Sequence, residues 1–213
     1  MLQAEIGQNS PMPAPPSITT VLLDLDGVIR HFDTDHRSAI EAAAGLTPGT
    51  LWDAAFEPRR IDDLITGRMT RAEWTEAVGE AVGNPNAAAE WLGEKGTVDL
   101  DMIALIDQLR ANGTVVAILT NGTDTIPAEL AELGVTEHVD AVFNTAEIGY
   151  AKPDPRAFEH ACNALGVDPT QVFFTDDSER KLAGALTLGM TAEHFIGVAE
   201  LQHQLASLGV LSP

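Results

Sequence analysis

Four short clusters in this 213-residue sequence combine residue types able to do chemistry. The first is Asp24-Leu25-Asp26-Gly27, two carboxylates one residue apart followed by a flexible turn. One acid of such a pair can attack while the other handles protons, or both can face a hard cation. Taken alone, the pattern also describes calcium loops and ordinary acidic turns. The second is Leu119-Thr120-Asn121-Gly122, a hydroxyl, an amide and backbone N–H groups ahead of a helix. That set suits the oxygens of a phosphoryl group, but helix capping explains it equally well. In the third, Gly149-Tyr150-Ala151-Lys152-Pro153-Asp154-Pro155, two prolines make a rigid turn that fixes Lys152 as a point charge. Its bland reading is a surface lysine. The fourth, Phe173-Phe174-Thr175-Asp176-Asp177-Ser178-Glu179, sets two acids straight after a β-prone run. They suit a metal, or merely a helix N-terminus.

Apolar and β-branched runs at 18–24, 114–120, 141–143, 171–175 and, more weakly, 191–196 read as strands of a parallel sheet. Helical patterns at 99–112, 123–133, 154–165 and 179–188 alternate with them, each stopped by a glycine. The alternation predicts an α/β fold, a doubly wound parallel sheet covered by helices on both sides. All four clusters then fall at strand carboxyl ends, the edge where such sheets bind ligands. Residues 33–98 are different: helical stretches at 35–44, 50–56, 70–82 and 86–92, without a convincing strand. They read as an inserted helical lobe. Thr70-Arg71-Ala72-Glu73 resembles a capping box. The expected organisation is a flexible leader over 1–17, rich in Pro, Gln and Asn, a core from 18–32 and 99–213, and a helical cap over 33–98.

The formal charge of −20 argues against nucleic acid and anionic membrane surfaces as partners. Lysine is scarce, and two of the three, Lys152 and Lys181, fall inside candidate motifs. Cys162 stands alone, which excludes an intramolecular disulfide and a cysteine-built zinc site and suggests a reducing cytoplasm. The six histidines lack metal-ligand spacing, and His31 and His36 read as surface-loop residues. Nothing in the pattern announces an oligomeric state.

In their order, Asp-Leu-Asp-Gly-Val, Leu-Thr-Asn-Gly, Gly-x-x-Lys-Pro-Asp-Pro and Asp-Asp-Ser…Gly-Ala-x-x-Leu-Gly-Met resemble the haloacid dehalogenase superfamily. The resemblance covers residues 18–208 and implies a Rossmann-like core with a helical cap inserted after the first motif. It implies a Mg²⁺-dependent phosphatase acting on a small phosphorylated metabolite. Asp24 would be the nucleophile that becomes an aspartyl-phosphate, and Asp26 the acid and base. Thr120 and the backbone near Asn121 would hold phosphoryl oxygens, and Lys152 would balance charge. Asp24, the Asp26 carbonyl and Asp177 would bind the metal, with Asp176 as a direct or water-mediated helper. Dehalogenases of the superfamily usually lack an acid at the position of Asp26, which favours phosphoryl chemistry. A phosphomutase of the β-phosphoglucomutase type, a dehalogenase and a non-catalytic metabolite-binding domain are the alternatives. Relatives often carry Asn where this chain has Lys181, a departure that places a cation either beside the acidic pair or in solvent. In the cap, Trp52, Phe56, Arg59, Arg60, Arg68 and Trp74 are candidates for leaving-group contact, with cap core the better reading for the aromatics and a loop, facing the site or solvent, the reading for Arg59-Arg60 after Phe56-Glu57-Pro58.

Overall fold

The computed structural model describes residues 17–211, so the leader expected over 1–17 lies outside the described residues except for Ser17. Strand β1 (Thr20–Leu23) leads through a tight turn to the two-residue strand β2 (Arg30–His31). Helices α1 (Thr34–Ala43), α2 (Thr50–Ala55), α3 (Pro58–Ile65), α4 (Arg71–Val82) and α5 (Pro85–Leu92) follow. Strand β3 (Thr97–Val98) closes that excursion by pairing antiparallel with β2, Arg30 opposite Val98. Next come α6 (Leu100–Ala111), β4 (Val115–Thr120), α7 (Ile126–Glu132), β5 (Ala141–Asn144), α8 (Thr145–Ile148) and α9 (Pro155–Leu165). The chain finishes with β6 (Val172–Asp176), α10 (Ala183–Thr187), β7 (Thr191–His194) and α11 (Val198–Ser207).

The main sheet runs β5-β4-β1-β6-β7, all parallel, as the alternation of strands and helices requires. Because side chains alternate across a strand, each central strand feeds two cores. Val21, Leu23, Val116, Ile118 and Phe173 pack with Met102, Ile106, Leu130 and Leu205 from α6, α7 and α11. On the other face Leu22, Ala117, Leu119 and Phe174 meet Phe158, Ala161 and Ala185 from α9 and α10. Cys162 lies in this second core as a free thiol, and burial pushes it up to about 11, which makes it an inert apolar filler.

The helical excursion has its own core of Leu51, Leu64, Trp74, Val78, Ala88 and Leu92. The Thr70–Glu73 capping box forms as expected, with both reciprocal hydrogen bonds. Three local expectations fail. Arg59 and Arg60, read as a loop, lie in α3, because Pro58 opens the helix and the Glu57 carboxylate accepts from both of their N–H groups. The helix expected over 179–188 is split into a 3₁₀ turn at Glu179–Leu182 and the short α10. There the Asp176 side chain accepts from Ser178 N–H at 2.9 Å, and Lys181 N–H closes a tight i→i−3 bond on Ser178. His31 and His36 are on β2 and α1 rather than in loops.

Candidate active site

Leu23 lies level with Ile118 on β4 and Thr175 on β6, so the carboxyl ends of these parallel strands open at one edge. Asp24 is the first residue beyond β1, Asp176 the last of β6 and Thr120 the last of β4. Asp24 N–H donates to the Thr175 carbonyl at 3.0 Å, which ties the first cluster to the fourth. Asp24 and Asp176 are 2 % and 0 % exposed, a burial that carboxylates tolerate only with partners.

Lys152 is that partner. Its Nζ donates to Asp24 Oδ1 at 2.8 Å and to Asp176 Oδ2 at 2.7 Å, and its side chain is fully enclosed. The surface-lysine reading of the third cluster is thereby excluded. Two devices hold the lysine in place. The Asn121 side-chain amide clamps the Lys152 backbone, accepting from its N–H at 2.8 Å and donating to its carbonyl at 3.0 Å. Gly184 in α10 lets the helix close onto the following turn, because a Cβ there would lie 2.2 Å from the Pro153 carbonyl oxygen. Burial alone would raise the Asp24 carboxyl, but Lys152, Lys181 and the Leu25 N–H bring it below its ordinary value. Asp176 goes the other way: burial and the nearby Asp24 charge push it up to about 6 against the pull of the two lysines.

Asp177 projects toward the same place and is partly exposed, and one carboxylate oxygen from each of Asp24, Asp176 and Asp177 falls within a 4.8 Å cluster. Three hard oxygen donors at a sheet edge suit a small divalent cation. Gly27 makes the approach possible. It has φ +90°, and a Cβ on it would lie 2.3 Å from Asp177 Oδ2. Gly27→Ala is expected to weaken whatever hold the three acids have on a small divalent cation at least about tenfold and to cost about 1–2 kcal/mol of stability from the left-handed backbone. Calorimetric titration of the metal and thermal unfolding measure the two effects separately.

Asp26 pairs with Arg30 rather than with Lys152. Its carboxylate accepts from Arg30 Nε at 2.6 Å and from Arg30 Nη2 at 3.1 Å, yet 41 % of its side chain stays exposed. The surrounding protein raises its carboxyl above the ordinary value, against the lowering effect of Arg30. Arg30 continues to Glu129 at 2.7 Å, and Glu129 to Arg71 of α4 at 2.6 Å. An ion-pair chain therefore joins Asp26 to the helical excursion through α7. Burial would raise the Glu129 carboxyl, but the Thr125 hydroxyl and both guanidiniums outweigh it and hold it below the ordinary value. Glu129→Ala leaves the buried Arg30 with Asp26 as its one carboxylate partner, takes the carboxylate from Arg71, and is expected to cost about 3 kcal/mol in denaturant unfolding. A depressed carboxylate stabilises above its unfolded value of about 4.3 and loses that contribution as the pH falls through its folded value. The wild-type advantage should therefore close on acidification.

One site residue escapes the sequence reading and a second is left open by it. Arg30 follows the first motif without any spacing signal. Lys181, left open between site and solvent, places Nζ 3.4 Å from Asp24 Oδ2, 3.5 Å from Asp176 Oδ1 and 3.9 Å from Asp177 Oδ1. Among the cap candidates, Trp74 is core and donates to the Ala55 carbonyl, while Trp52 and Phe56 stack on each other and stay partly exposed. Arg60 donates to the Ala54 carbonyl and Arg68 pairs with Asp62 and Asp63. Arg59 is largely exposed.

Residues 18–189 match the haloacid dehalogenase-like hydrolase family. The chain belongs to that family. Among curated members, Phosphatase MT3486 of Mycobacterium tuberculosis (strain CDC 1551 / Oshkosh) is 29 % identical over 83 % of this chain and 86 % of its own length. The (S)-2-haloacid dehalogenase 4A of Burkholderia cepacia is 31 % identical over 53 % of each chain. A family enzyme from Bacteroides thetaiotaomicron, solved as a magnesium complex, superposes with TM-score 0.74 at 22 % identity, over 89 % of this chain and 98 % of that one. The last likeness establishes the Rossmann-like family core. As a haloacid dehalogenase-like hydrolase the chain brings all four sequence clusters to one sheet edge. No described helix is long and apolar enough to cross a membrane.

Proposed function

We propose that this hydrolase is a Mg²⁺-dependent phosphatase of a small phosphorylated metabolite, acting through an aspartyl-phosphate on Asp24. The carrying observation is the convergence of Asp24, Asp176 and Asp177, which makes a cation site beside a buried, lysine-paired carboxylate. Phosphatases among the relatives support the same reading. Asp24 and Asp177, with the Asp26 carbonyl, would hold Mg²⁺, and Asp176 stands behind them on Lys152. Bound there, the ion would neutralise charge on the phosphoryl oxygens.

Asp24, kept ionised by Lys152, attacks phosphorus while the ester oxygen leaves. Asp26, raised above its ordinary value and open to the cleft, gives that oxygen its proton and later takes one from the hydrolytic water. Oppositely shifted acids two residues apart divide the roles of nucleophile and proton carrier. Thr120 and the backbone N–H groups beyond it receive the phosphoryl oxygens, and Lys152 offsets the charge that gathers on them. The helices of 33–98 act as the cap that excludes water and selects the leaving group. A cytoplasmic setting and a metabolite rather than a macromolecule as partner complete the reading.

The test is phosphate release from an aryl phosphate, expected to require Mg²⁺ and to stop on chelation. Halide release from a 2-haloacid that survives chelation, with no phosphate release, would overturn it in favour of the dehalogenase relatives. A phosphorylated hexose followed by ³¹P NMR separates hydrolysis from a mutase, since only hydrolysis accumulates free phosphate.

A further inference from the structure

We infer that Lys181 is a tethered cation that competes with the divalent ion for its carboxylates and so sets the metal affinity of the site; the inference rests on the cation site proposed above. The geometry separates the two lysines. Lys152 makes close contacts of 2.7–2.8 Å from a fully enclosed position, as a permanent structural charge does. Lys181 hovers at 3.4–3.9 Å from one oxygen of each of the three acids, shared among them and tightly bound to none. Those are the same three residues that form the candidate metal cluster. Magnesium takes its oxygens at about 2.0–2.1 Å. An ion held by Asp24 and Asp177 would draw on the same carboxylates that Lys181 contacts.

Charge counting points the same way. Asp24, Asp176 and Asp177 carry three negative charges when ionised, and Lys152 and Lys181 return two positive ones. The chain's own lysines then nearly neutralise the cluster. A divalent ion must displace an existing counter-charge instead of relieving an unmet repulsion. Lys181 can yield, because its side chain is 29 % exposed and its flexible stem starts from the 3₁₀ turn at the mouth of the site.

The experiment titrates purified full-length protein with Mg²⁺ alone by calorimetry, and follows thermal unfolding with and without the ion. Lys181→Gln should bind Mg²⁺ roughly tenfold or more tightly than wild type. It should also be less stable than wild type without metal and gain more in Tm when metal is added. Lys181→Arg, which keeps the charge, should stay near wild type. Lys181→Met serves if the Gln variant folds poorly. Equal or weaker Mg²⁺ binding by the neutral variants overturns the competition while leaving the metal site standing. Absence of binding in wild type and variants alike overturns both.

Discussion

Asp24→Asn is expected to cut phosphate release by on the order of 10⁴-fold or more, to the background of the assay. The amide lacks the charge and lone-pair character needed to attack phosphorus, and the neighbouring described carboxylates have other partners or, for Asp177, the proposed cation. Asp26 points to Arg30, and Asp176 is enclosed against Lys152. The fold should survive, because Lys152 keeps its 2.7 Å contact to Asp176 and Asn is nearly isosteric with Asp. Unchanged near-ultraviolet circular dichroism beside lost turnover would place the defect in the chemistry. Full activity in this variant would remove Asp24 from the nucleophile role.

Lys152→Met should have the largest effect on stability, a loss of about 3–5 kcal/mol in denaturant unfolding at neutral pH. The lysine is the common partner of two buried carboxylates, and without it both must stay charged in an apolar setting or take up protons. The pH dependence has a definite sign. Asp24 is held below its unfolded value, so its share of stability exists above about pH 4 and depends on the cation. Asp176 is raised to about 6, so it favours the fold at low pH and opposes it as the pH rises through that value. Removing Lys152 strips the first contribution and enlarges the second. The gap between variant and wild type should therefore be widest above pH 6 and narrow on acidification. A gap independent of pH would mean that packing, not charge, is the lysine's contribution.

The sheet and the four clusters were legible because they rest on local signals. β-branched runs stop at acids, glycines stop helices, and parallel strands put their carboxyl ends together. Asp24, Asp26, Thr120, Lys152, Asp176 and Asp177 each sit where such a signal points. Asn121 was placed near the site, but its side-chain clamp on Lys152 spans 31 residues of sequence, and no periodicity encodes that. Arg30 was invisible for the same reason: its partner Glu129 is 99 residues away on α7. Lys181 was visible but undecidable, since a regular helix from 179 and a 3₁₀ turn aim its side chain differently. Arg59 and Arg60 were misread because Pro58 signals a loop and a helix start alike, and only Glu57 as cap resolves the choice.

The helical excursion leaves the sheet at Arg30–His31 and returns at Thr97–Val98, side by side in one antiparallel pair. To the sheet, the residues between are a single loop whose two ends are already stapled together. Their number and arrangement can change without shifting the register of any strand that carries Asp24, Thr120 or Asp176. On the proposed reading, recognition and chemistry are thus written on separable parts of the chain. A lineage could exchange one while leaving the other intact, provided that the contacts at the seam, Arg71 with Glu129 and Asp124, Thr145 with the Ile65 carbonyl and Lys95 with Glu132, were renegotiated.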